Sequence, residues 1–117
     1  MNLILLLLFI NVPMNSIKIF DFNSKSNINS WQIVNDVVMG GKSSSTITIN
    51  KDGHGQFSGT VSTENNGGFS SVRHAFKSVS VKKISKICVL IKGDGKDYQL
   101  RIKDSFKNYF SYINTFS

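Results

Sequence analysis

An all-β domain, built as an antiparallel β-sandwich, is what this sequence predicts, and three observations predict it. β-branched and aromatic residues dominate, with nine Phe, three Tyr and one Trp, while Ala75 is the single alanine and Pro13 the single proline. Apolar residues recur in short alternating runs rather than at helical spacing. The runs are separated at regular intervals by turns rich in Gly, Asn and Asp.

Each element follows in order. Ile17–Phe22 alternates in part and predicts a first strand, and the polar stretch 23–29 a loop. Trp31–Val34 is the next extended piece. It runs into Asn35-Asp36-Val37-Val38-Met39-Gly40-Gly41-Lys42 and a serine run, a shaped loop in which Asx side chains and adjacent glycines fix the turn. Thr46–Ile49 alternates with Ile47 and Ile49 on one face. The turn at 51–55 and the alternation from Gln56 to Ser62 complete a β-hairpin. Glu64–Gly68 is a second loop with paired glycines, followed by a strand from Phe69 that ends near Phe76. Ile84 and Ile87–Ile91 form an apolar run of strand length, which predicts a central strand covered on both faces with Cys88 as a small buried hydrophobe. Gly93–Gly95 turns the chain into Tyr98–Lys103, with Tyr98, Leu100 and Ile102 facing inward, and Phe110 to Phe116 starts another strand.

The 117 residues provide one domain, residues 17–117, preceded by a leader over residues 1–16. Leu3–Ile10 is too short to span a bilayer but has the length of a signal-peptide apolar region. That predicts an exported or cell-envelope protein with no stable membrane span in the mature domain. The alternatives are a cytoplasmic location, or a mitochondrial one in a eukaryote. Net charge is +7, concentrated between Lys77 and Lys107, where nine basic residues face three acidic ones. No nucleic-acid motif accompanies these lysines, and a solvated sheet face is the reading adopted, with no nucleic-acid partner.

Catalytic and metal constellations fail one by one. His54 and His74 have no partners at zinc-ligand spacing. No serine occupies a nucleophile elbow. Gly93-Asp94-Gly95 lacks the third glycine of a dinucleotide fingerprint, since Tyr98 stands there. Asp94 and Asp97 are turn residues rather than an acid–base pair, and no dense oxygen spacing points to calcium. No enzyme, no cofactor and no metal site is expected.

Three stretches in order resemble one family: Trp31 with Asn35–Ser43, Phe57–Ser62 with Asn65–Arg73, and Lys92–Gly95 with Tyr98–Leu100. Over residues 30 to about 103 the chain resembles the complex I intermediate-associated protein 30 family. The resemblance implies a jelly-roll sandwich similar to galactose-binding domains, and a non-enzymatic assembly factor or chaperone whose partner is a protein client or assembly intermediate. It also implies a domain that continues past Ser117, so that the present chain would lack its last strands, expose a strand edge and be marginally stable alone. The candidate binding residues are Asn35, Asp36, Met39, Gly40 and Gly41, with Asn65, Asn66, Gly67, Gly68, Arg73 and Asp94 as a second group. Arg73 is expected to pair with a carboxylate, Asp36 or Asp94. A carbohydrate-binding module is the alternative, with Trp31, Tyr98 and Tyr109 as aromatic platforms and a glycan as ligand.

Overall fold

Strand pairing, rather than an apolar interior, organises this chain. The structure, a computed structural model, describes residues 16–83, 86–105, 107, 109 and 111–117. These form six strands in three antiparallel pairs, with two short 3-10 turns and no α-helix among the described residues. The all-β, antiparallel prediction therefore holds. The leader lies, but for Ser16, outside the described residues, as do Ile84 and Phe110.

Residues 17–77 form one unit. Strand β1 (Trp31–Asn35) pairs with β4 (Ser70–His74), and β2 (Ser44–Ile49) with β3 (Gly55–Thr60). The β2–β3 hairpin is the one the alternation predicts. Its loop is closed by Asn50, whose Oδ1 accepts from the amides of Asp52 (3.0 Å) and His54 (2.9 Å), while Gly53 takes φ 81°. Within the unit β2 also lies against β1 and β4.

The β1–β4 register sorts chemistry along one face. Trp31 stands opposite His74, Ile33 opposite Val72 and Asn35 opposite Ser70, and period-two alternation puts all six on the same side. The first pair seats an aromatic cluster. His74 stacks on Trp31 (centroids 4.6 Å apart, 16° between planes), and Phe20 and Phe22 approach the indole at 5.3 and 5.1 Å. Such pairs are worth about 0.5–1.5 kcal/mol each beyond the area they bury. Ile17–Phe22 thus packs through its aromatic side chains and is not the strand its alternation predicts, because no described strand pairs with it.

Residues 78–117 belong to a second unit. Here β5 (Tyr98–Ile102) pairs with β6 (Tyr112–Phe116), and Tyr98 stacks on Phe116 at 5.9 Å. Tyr98, Leu100 and Ile102 are the half-buried side of β5, as predicted. The expected central strand at Ile87–Ile91 is not formed. The segment lies outside any strand and is exposed throughout, Cys88 included. Its apolar pattern is that of a strand, but no neighbouring described strand meets its N–H and C=O groups.

Candidate functional site

No apolar side chain among the described residues is fully buried; the two fully buried side chains are Asp36 and Ser43. A buried carboxylate is unfavourable unless its acceptors are filled, so its partners define the site.

Asp36 opens a 3-10 turn, Asp36–Met39, that ends β1, and Gly40 closes the turn in the left-handed region (φ 86°). Two loops meet on its carboxylate. From the first, the Ser43 amide donates to Oδ1 at 2.9 Å and the Ser43 hydroxyl to Oδ2 at 2.6 Å. From the second, the amides of Gly68 (2.6 Å) and Phe69 (3.3 Å) donate to Oδ2. The Asp36 amide donates back to the Phe69 carbonyl at 3.2 Å. Burial alone would push the carboxyl up. The hydrogen bonds from the Ser43 hydroxyl and the Gly68, Ser43 and Phe69 amides outweigh it, and the group sits below its ordinary value of 3.8.

The glycines are required by this approach. A Cβ on Gly41 would collide with Cγ and Oδ1 of Asp36, and one on Gly67 with Oδ2. Asn65 and Asn66 both take positive φ, 56° and 58°, a region Asn tolerates better than most residues. The Asn65 amide donates to the Gly40 carbonyl at 3.1 Å, and Lys42 pairs with Glu64 across the same junction. The Ser43 hydroxyl accepts from the Ser62 amide at 2.9 Å. Beside this clamp, Asn35 Oδ1 accepts from the hydroxyls of Ser45 (2.9 Å) and Ser70 (2.7 Å), which lie 2.6 Å apart.

Nine of the eleven predicted residues, Asn35, Asp36, Met39, Gly40, Gly41, Asn65, Asn66, Gly67 and Gly68, therefore converge on one junction. Arg73 does not join them. It falls on the opposite face of β4 from Ser70 and His74, and its Nε donates to Ser71 Oγ at 3.3 Å rather than to a carboxylate. Asp94 lies in the second unit, where its Oδ1 accepts from the Tyr98 hydroxyl at 2.8 Å and the Lys96 amide at 3.1 Å. The Tyr98 hydroxyl, then the Lys96 amide, hold Asp94 below its ordinary value, and the same contact raises Tyr98.

Sequence reasoning missed Ser43, Ser45 and Ser70. The signal was the serine run Ser43–Ser45, which follows Gly40-Gly41 after the single residue Lys42.

What the junction presents is apolar. Val37, Val38 and Met39 are 60%, 74% and 63% exposed, on a turn whose first residue is completely buried. The carboxylate itself is enclosed, Oδ1 accepting from the Ser43 amide and Oδ2 from the Ser43 hydroxyl and the Gly68 and Phe69 amides. No group of His, Cys, Asp and Glu among the described residues could hold a metal ion. No helix among them is long and apolar enough to cross a membrane.

A family model described as Complex I intermediate-associated protein 30 matches residues 20–117. Comparison with curated proteins and with solved structures returned no match.

Proposed function

Because this chain belongs to the complex I intermediate-associated protein 30 family, we propose that it is a non-enzymatic, protein-binding module that assists assembly of respiratory complex I. The observation that carries the reading is the apolar turn Val37–Met39, held out from the surface by the buried Asp36 clamp. Three consecutive exposed apolar side chains on a turn fixed by hydrogen bonds form a preorganised contact, and preorganisation lowers the entropic cost of association. Met suits such a contact, because its flexible thioether adapts to irregular partner surfaces. The glycan alternative gains nothing from Trp31, one face of which is covered by His74. In this reading the protein acts where complex I is put together.

The test is affinity capture of complex I assembly intermediates by the full chain and by a Val38→Asp, Met39→Asp double variant. Both side chains are exposed, and thermal unfolding of the variant close to that of the parent separates a lost contact from a lost fold. Capture by the parent and its loss in the variant are expected. Equal capture by both removes the turn from the interface, and capture by neither removes the assembly role.

A further inference from the structure

A second surface lies in the other unit. Residues 86–92 read Lys-Ile-Cys-Val-Leu-Ile-Lys, and residues 86–93 take no part in any hydrogen bond among the described residues. Ile87, Val89 and Ile91 are each about half exposed, and Leu90 is fully exposed. A β-prone stretch with open N–H and C=O groups is a template for strand addition. We propose that residues 86–92 receive an apolar β-strand of a partner protein that is flanked by Asp or Glu, paired antiparallel.

Three coverings compete, and backbone and charge separate them. A lipid surface would take up the apolar side chains but leave the backbone groups without partners, which hydrocarbon does not tolerate. A second copy would meet the backbone. However, antiparallel self-pairing centred on Val89 sets Lys86 of each copy opposite Lys92 of the other, and like charges directly opposite are unfavourable. Parallel in-register pairing sets Lys86 beside Lys86 and Lys92 beside Lys92. An acid-flanked strand satisfies the backbone, covers the apolar side chains and turns both lysines into attractive cross-strand pairs. The surrounding charge acts the same way, since eight basic residues and three acidic ones lie between Lys82 and Lys107, a field that steers acidic partners. This inference deepens the proposed function and shares with it only the premise that the partner is a protein.

The test uses the full chain and two fluorescein-labelled peptides, Asp-Val-Thr-Val-Thr-Val-Glu and its twin with Lys at both ends. The acid-flanked peptide is expected to bind, with amide exchange slowed across 86–92, and the twin to bind roughly tenfold more weakly through two reversed cross-strand charge pairs. Val89→Pro and Leu90→Pro remove N–H groups that point to opposite strand edges, so at least one of them abolishes binding. Equal affinity for the two peptides, unchanged exchange at 86–92, or full binding by both proline variants overturns the proposal. So does binding to phosphatidylserine vesicles in place of the peptide, or a dimer in sedimentation that the peptide does not dissociate. A chain that captures assembly intermediates but ignores the peptide refutes this inference alone. Peptide binding without capture refutes the assembly role alone.

Discussion

The described residues of the two units meet the same difficulty, a shortage of buried apolar side chains, in different ways. In residues 17–77 the fixed points are polar and aromatic: a carboxylate filled by Ser43, Gly68 and Phe69, a hydroxyl–amide cluster on Asn35, and the Trp31–His74 stack. Among the described residues of 78–117 one strand pair is formed, and the most apolar stretch, Ile87–Ile91, has no partner there. Directional hydrogen bonds can specify a loop where little apolar area is buried. An apolar run cannot specify itself until another surface covers it. The first unit should therefore respond sharply to single-atom changes and the second hardly at all.

The largest effect is expected from Asp36→Asn. An amide would point an N–H₂ at the Gly68 or Ser43 amide, donor against donor, in an enclosed site. Thermal unfolding followed by Trp31 fluorescence should show a greater loss of stability than any other variant described here. Asp94→Asn, in the second unit, should leave that signal unchanged. Acid should act on the same contact. Because the folded carboxyl lies below 3.8, the unfolded chain binds more protons as pH falls through that region. Stability from Asp36 is then complete above about pH 4 and lost below it. At the other extreme, Tyr98 is raised above 10.0 by its hydrogen bond to Asp94, so its contribution is complete below that value and lost as pH rises beyond it.

Next come Gly41→Ala and Gly67→Ala, each of which drives a methyl into the Asp36 carboxylate, at a cost of about 1–3 kcal/mol by chemical denaturation. Asn35→Ala removes the acceptor of the Ser45 and Ser70 hydroxyls, which can still bond each other, and about 1 kcal/mol is expected. The smallest effect belongs to Leu90→Ser, which should stay within about 0.5 kcal/mol because that side chain is fully exposed. A loss comparable with that of Gly41→Ala would mean that the exposed run is covered in solution.

Much of the first unit was legible in the sequence. The alternation at Thr46–Ile49 and the turn before Gly55 marked the hairpin, and the paired glycines of two loops marked the places where backbone meets the carboxylate. What the sequence could not disclose was that both loops meet on one group, since Ser43 and Phe69 lie 7 and 33 residues from Asp36. Nor did composition reveal that Arg73 sits on the far face of β4, a matter of strand parity rather than of residue type. Ile17–Phe22 and Ile87–Ile91 misled for a common reason. Apolar alternation or density states what a segment would gain from pairing, and says nothing of whether a partner strand is within reach.

Amide hydrogen exchange on the isolated full chain tests the contrast most directly, because it reports both units in one measurement. The amides of Ser43, Gly68 and Phe69, bound to Asp36, should exchange slowly, and those of Ile87–Ile91 at rates near those of an unstructured peptide. Asp36→Asn should release the first set and leave the second unchanged. Exchange at Gly68 as fast as at Leu90 in the unsubstituted protein would contradict the clamp.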